Sequence, residues 1–262
     1  MLRSWLHLDA QDVSFVEKKD EGYFVSIETV CVITDISGYI QDSGFMHYRH
    51  DFQVKEENLS AIKKHGIRFS LLLPVKKPGA YYVRVAVKDP DSGKVGSAYQ
   101  YLEIPDLKKN RLALSNIFVI NSREDAAWIL SGETEVSAQN GIIPVLRRDE
   151  ISNPALAMYL PGDHFQYMSV IYNAKSQKDT APDLESQFVL YKDGSELFKS
   201  EPRPLTLGDN DNFARIPIRR RLLLGKALEE GDYVLQLLVN DKKRKKKDGV
   251  ASQTMSFKIV PQ

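Results

Sequence analysis

Two stretches of the chain alternate apolar and polar side chains in the same way. In "PGAYYVRVAVKD" (78–89) the apolar set is Tyr81, Val83, Val85 and Val87; in "EGDYVLQLLVND" (230–241) it is Tyr233, Leu235, Leu237 and Val239. Gly79 aligns with Gly231 and Asp89 with Asp241 at the same constant offset. Every second position being apolar is the signature of a half-buried strand. The intervening positions are Tyr82, Arg84, Ala86 and Lys88 in the first copy, suited to water, and Val234, Gln236, Leu238 and Asn240 in the second, which are less polar. A second strand follows each copy, "GKVGSAYQYLEIP" ending at Pro105 and "GVASQTMSFKIVP" ending at Pro261. The turn is "DPDSG" in the first copy and the longer "DKKRKKKDG" in the second. Asp, Pro and Gly between alternating runs predict a β-hairpin, and a closing Pro ends the ladder.

Other segments carry the same kind of signal. "YFVSIETVCVIT" (23–34) places Val25, Ile27, Thr29, Cys31 and Ile33 on one face, the cleaner core face. "SGYIQDSGFMHYRHDFQV" predicts a turn and a long aromatic strand. "HFQYMSVIYN" (164–173) predicts a strand, and "SQFVLYKDGSELFKS" (186–200) a strand–turn–strand unit. "FARIPIRRRLLLG" (213–225) is a strand whose Pro217 places it at an edge or bulge. Only "EENLSAIKKHG" (56–66) is expected to be helical, with Leu59 and Ile62 three apart and Gly66 as a stop. Many short strands between turn signals predict an all-β protein built as β-sandwiches.

The glycine–x–tyrosine openings refine that expectation. In immunoglobulin-like sandwiches a Tyr near the start of one strand folds back onto upstream backbone, the tyrosine corner. Tyr81 and Tyr233 stand where that residue would. Where antibody domains carry a Cys two residues on, this chain has Val83 and Leu235, so packing alone would hold each sandwich. The expected architecture is two immunoglobulin-like or fibronectin-like antiparallel sandwiches in tandem: 1–106, a linker at 107–110 within "PDLKKNR", and 111–262. The second is expected to carry a long irregular insert at about 121–155, either packed across the sandwich or forming a functional loop.

Composition narrows the class without naming a ligand. The 262 residues, 42% hydrophobic and 27% charged, suffice for ordinary cores. Lys and Arg total 36 against 35 Asp and Glu, so net charge gives no reason to seek nucleic acid or an anionic membrane. A single cysteine, Cys31, excludes an intrachain disulfide and reads as a small buried hydrophobe. No run of about 18 apolar residues exists to insert into a bilayer. The opening "MLRSWLHLDAQDVSF" lacks the apolar run of at least ~7 residues that a secretory leader needs.

A family resemblance rests on 78–119. The Pro-Gly-x-Tyr strand, the Arg-Val-Ala-Val-x-Asp run, the Gly-Ser-Ala hairpin return and "IPDL", with Ile104 in place of a Val, resemble the C-terminal region of the bacterial VWFA-related (von Willebrand factor type A-related) proteins first grouped in acidobacteria. "PGDHFQYMSVIYNA" (161–174) and "GDYVLQLLVND" (231–241) are similar to that family's final domain. Full members carry an upstream A domain with an Asp-x-Ser-x-Ser metal loop. No such loop occurs here, since "DISG" and "DPDSG" lack the second Ser. The resemblance therefore implies the tail of such a protein without its metal site. It implies export if a leader lies upstream; as written the chain would be cytoplasmic.

Candidate chemistry is sparse. "HYRH" (47–50) would put His47 and His50 on opposite strand faces, unable to share a zinc. "DPDSG" fails the calcium-loop pattern because the sixth position from Asp89 is Lys94 and the twelfth Gln100. "KKRKKK" (242–247) would suit polyanions, but it has no interleaved aromatic and is expected to be a solvated hairpin tip. No nucleophile, metalloprotease, phosphate-loop or dinucleotide motif is present. The expectation is no catalytic residue, metal or cofactor, and a non-enzymatic structural or protein-interaction module with a protein partner, with no specific nucleic acid. Phe45, Tyr48, Tyr99 and Tyr101 form the expected interaction surface. An accessory module for carbohydrate or another ligand, using those aromatics or the end loops, is the alternative.

Overall fold

A computed structural model describes residues 2–75, 77–119, 128–130, 146–148, 157–176, 180–207 and 212–261. Its strands, in chain order, are β1 (Leu2–Leu8), β2 (Val16–Lys18), β3 (Gly22–Asp35), β4 (Ile40–Val54), β5 (Ile67–Leu73), β6 (Gly79–Lys88), β7 (Val95–Ile104), β8 (Ala113–Leu114), β9 (Phe118–Val119) and β10 (Trp128–Leu130). They continue with β11 (Leu146–Arg148), β12 (Met158–Tyr159), β13 (His164–Tyr172), β14 (Leu184–Lys192), β15 (Ser195–Lys199), β16 (Arg203–Pro204), β17 (Arg215–Leu223), β18 (Gly231–Asp241) and β19 (Val250–Ile259). The protein is mostly β. Its longest described helix is α1 (Glu56–His65), and no described helix is long and apolar enough to cross a membrane.

The chain divides into two compact units, Met1–Ile104 with Ser122–Ala155, and Pro105–Asn121 with Leu156–Gln262. In the first unit β3 pairs with β4 on one side and β6 on the other, and β7 closes the sheet beyond β6. A second sheet runs β1-β5-β10-β11. One core lies between the two sheets: Val25, Ile27, Cys31 and Ile33 of β3, Phe52 and Val54 of β4 and Tyr81, Val83 and Val85 of β6 meet Ile67, Phe69, Leu71 and Leu73 of β5. The alternation in 23–34 and 81–87 is thus the alternation between this core and the outer face. The expected helix is α1, ended by Gly66 at φ 72°, whose N–H donates to Ile62 O. Ile62 is fully buried in the same core.

In the second unit one sheet runs β12-β19-β18-β14-β15, and the other runs β17-β13-β8. Their shared core takes Tyr233, Leu235, Leu237 and Val239 from β18, Tyr167 and Ile171 from β13, and Ile216 and Ile218 from β17. Pro217 lies on edge strand β17, opposite Val170, where a missing N–H can face outward. Residues 113–119 hold two short strands, β8 and β9. Between them the Ser115 N–H and side chain bond to the β13 partners Val170 and Ser169 instead of continuing the ladder.

The two hairpins β6–β7 and β18–β19 repeat one design. Tyr81 Oη donates to Lys77 O at 2.8 Å, and Tyr233 Oη donates to Glu229 O at 2.8 Å. Each hydroxyl thus closes onto a carbonyl four residues upstream. Gly79 and Gly231 make the turn possible with φ of 151° and 140°, a region that side-chain-bearing residues avoid. At the far end of the same strand, Asp89 and Asp241 are both buried. Asp89 accepts from the N–H of Ser14 at 2.8 Å and of Asp91 at 2.9 Å. Asp241 accepts from the N–H of Lys175 at 2.7 Å and of Lys243 at 3.0 Å.

Strands β1, β2 and β5 of the first unit were not among the expected elements. The expected insert at 121–155 falls largely outside the described residues, and its described pieces, β10 and β11, extend the β1–β5 sheet of the first unit. The stretch expected as a linker is bound into the second unit. Asn173 Nδ2 donates to Leu107 O at 2.9 Å and Arg111 O at 3.1 Å.

Candidate functional site

The outer face of the β4-β3-β6-β7 sheet grades from charged to aromatic. Register places Arg49, Glu28 and Lys88 in one cross-strand row, and His47, Val30, Ala86 and Ser97 in the next. The third row is Phe45, Val32, Arg84 and Tyr99. Beyond an irregularity between Val32 and Thr34, Ile40, Tyr82 and Tyr101 continue the apolar end.

Phe45, Arg84, Tyr99 and Tyr101 are exposed, while Val32 and Tyr82 are half-buried. Tyr99 is 77% exposed, Phe45 60% and Tyr101 50%. Tyr82 meets Tyr101 edge to face, centroids 5.6 Å apart, and the Arg84 guanidinium lies 5.8 Å from the Tyr82 ring centre. A cation held beside aromatic rings adds to their apolar area a site for a partner's π face or negative charge. Of the expected surface residues, Phe45, Tyr99 and Tyr101 share this face. Tyr48 does not. It belongs to the alternate set of β4, is half-buried, and packs against the core with Met46. An odd-to-even step along one strand reverses the face, so Phe45 and Tyr48 could not have shared one. Arg84, Val32 and Tyr82 complete the face. The period-2 pattern marked their outward direction, but the cross-strand register that brings them together was not legible.

Apart from His47, the histidine, cysteine and carboxylate candidates sit elsewhere. His47 is exposed on the outer face, whereas His50 is buried against Phe69, with ring centroids 5.1 Å apart. Burial lowers the His50 pKa from its ordinary value, against a weaker upward pull from Asp51. Neither of its ring nitrogens has a hydrogen-bond partner. Cys31 is fully buried, and burial pushes its thiol pKa up to about 11, so it stays protonated and is a poor nucleophile at neutral pH. Among the described residues no group of three or more His, Cys, Asp or Glu could hold a metal ion. The carboxylate of "DPDSG" is used inside the protein. Burial would raise the Asp89 pKa, but hydrogen bonds from Ser92, Ser14 and Asp91 outweigh it and hold the group below the usual carboxylate value.

The basic run is not the free tip expected from its composition. Lys242 Nζ pairs with Glu185 at 2.8 Å, and Lys243 Nζ donates to Ala181 O at 2.6 Å. The Arg244 guanidinium donates to Asn110 O at 2.8 Å, Asn110 Oδ1 at 3.1 Å and Asn173 O at 2.6 Å. Its Nε lies 3.4 Å from Asp241 Oδ2, within ion-pair range but without a hydrogen bond. Lys246–Gly249 coil into a helical turn. A polar cleft of about 460 Å³ opens beside this clasp, lined in part by Asn110, Lys175, Ser176, Lys245 and Asp248. Only Lys245, Lys246 and Lys247 of the run remain exposed with no described partner.

No family model and no curated protein matches the chain.

Proposed function

We propose that this is a non-catalytic pair of immunoglobulin-like β-sandwiches serving as a protein-interaction module, with the outer face of the first unit as its binding surface. The observation that carries the reading is the outer row Phe45, Val32, Arg84 and Tyr99, in which Phe45, Arg84 and Tyr99 are exposed, flanked by Tyr82 and Tyr101. Aromatic and arginine side chains concentrated on one rigid sheet face are the composition of protein-interface centres. The two-sheet cores, the paired fold-back tyrosines and the repeated hairpins support the immunoglobulin-like description. The inward positions of Cys31 and His50 support a non-enzymatic role, because they take two nucleophile or base candidates out of reach of substrate. The similarity of 78–119 to the tail of VWFA-related proteins supports a place in a larger surface-directed assembly.

A photo-crosslinking side chain introduced at position 45 tests this reading in the source cell. Crosslinks to one protein, abolished by Arg84→Ala and Tyr82→Ala, are expected. Crosslinks that persist unchanged in both variants refute it.

A second reading has its own observation. The edge-to-face pair Tyr82–Tyr101 beside the open ring of Tyr99 is also a platform on which sugar rings could stack. Binding of a defined glycan that Tyr99→Ala and Tyr101→Ala each abolish would select it over the protein-partner reading.

A further inference from the structure

We infer that β7 is a self-pairing edge through which two copies of the chain join their β4-β3-β6-β7 sheets into one. The strand pairs with β6 through ten unbroken positions, and no described strand pairs with its other side. From Val95 to Tyr101 every residue is exposed, on both faces of the strand. The run Val95–Leu102 holds no charge, no proline and no bulge. A long flat uncharged edge offers a row of free N–H and C=O groups to another strand, and folded proteins ordinarily guard against it.

Several of the other described edges are guarded. β2 carries Glu17 and Lys18. β4 carries Arg49 and Asp51, and its pairing is irregular. β15 has Glu196 and Lys199 beside a bulge, and β17 has Pro217 and several arginines. The counterpart of β7 in the second unit, β19, pairs on its outer side with β12 at Lys258 and Ile259 only, whereas β7 pairs with no described strand there.

The strand's own sequence selects a second copy as the occupant. An antiparallel pairing about a two-fold axis at Tyr99 sets Tyr99 against itself, Ser97 against Tyr101, and Val95 against Glu103. The sole charge of β7 then meets a neutral side chain, and no like charges oppose one another. Facing residues of an antiparallel pair point to the same side, so the exposed rows of the two copies merge into one face with Tyr99 at its centre. A net charge of +1 adds little repulsion between copies. The pairing does not depend on what the outer face binds.

Sedimentation velocity on the whole chain, over a wide range of concentration, tests this. The wild type is expected at twice the chain mass. Tyr99→Lys and Tyr99→Glu each set like charges against each other at the axis, so each is expected to fall to the single-chain mass with its circular dichroism unchanged. An equimolar mixture of the two is expected to recover the doubled mass, because lysine then faces glutamate. Phe45→Ala, at the opposite margin of the face, is expected to leave the doubled mass intact. A wild type that is single throughout, single variants that stay paired, or a mixture that fails to recover would each overturn the proposal. In the first case, binding of a foreign β-strand peptide to β7 would give the edge to another protein.

Discussion

The carboxylate of Asp241 accepts the backbone N–H of Lys175 at 2.7 Å, a bond that ties the end of β18 to the chain leaving β13. Asp241 is fully buried, and its other oxygen takes the N–H of Lys243. Asp89 makes the matching pair of bonds in the first unit. Replacing Asp241 by Ala would strand two backbone donors and leave Arg244 without its counter-charge. The expected cost is about 3 kcal/mol. Urea unfolding of Asp241→Ala measures it, and Asp241→Asn should cost less because the amide oxygen still accepts.

The fold-back tyrosines offer a cleaner subtraction. Tyr81→Phe and Tyr233→Phe each remove one hydroxyl and leave the ring in place. Each variant loses the bond to Lys77 O or Glu229 O and is expected to be about 1 kcal/mol less stable. Denaturant midpoints followed separately in the two units should shift only in the unit that carries the change.

Among the described residues, His50 and Asp89 respond to acid in different windows. His50 is lowered by burial, so the folded protein prefers the neutral ring, while the unfolded ring takes a proton below pH about 6.5. Its contribution is complete above that value and is lost as pH falls below it, through the lowered value of the folded ring. Asp89 is also lowered, and its contribution is complete above about pH 4 and lost as pH falls further. Urea midpoints of the wild type should therefore decline in two stages, and His50→Leu should remove the first stage only.

The basic run divides into structural and free cations. Arg244→Ala should destabilise the second unit by about 2–3 kcal/mol, since it leaves the Asn110 and Asn173 carbonyls and Asp241 without their partner. Changing Lys245, Lys246 and Lys247 together to Gln should alter stability by no more than about 0.5 kcal/mol. The same triple change should weaken retention on a polyanionic resin at low salt, an attraction that fades as salt rises.

What the amino-acid order revealed was whatever depends on near neighbours. Alternation marked β3, β6 and β18, and Gly66 marked the end of α1. The matched Gly-x-Tyr openings pointed to the fold-back hydroxyls, because both the turn and the strand lie within a few residues. The pattern Ile67, Phe69, Leu71, Leu73 is equally regular, and its residues are buried. It is hard to see in the sequence because it follows the helix directly, with only Gly66 between them to signal a new element. The outer face was half legible. Exposure of Phe45 and Tyr99 follows from the period of their strands, but their meeting in one row through Val32 and Arg84 is a matter of register across three pairings. The partners of Arg244 were out of reach for the same reason, since Asn110 is 134 residues away.

The clasp at Arg244 has a consequence for the chain's survival. A string of six lysines and arginines would ordinarily invite trypsin-like proteases, which must draw several residues of substrate into an extended form. Here 242–244 are tethered at their side chains and 246–249 are coiled, leaving Lys245, with φ −66° and ψ 142°, as the one extended link between them. The stretch with the most cleavable bonds is therefore held in a shape that denies most of them to the enzyme.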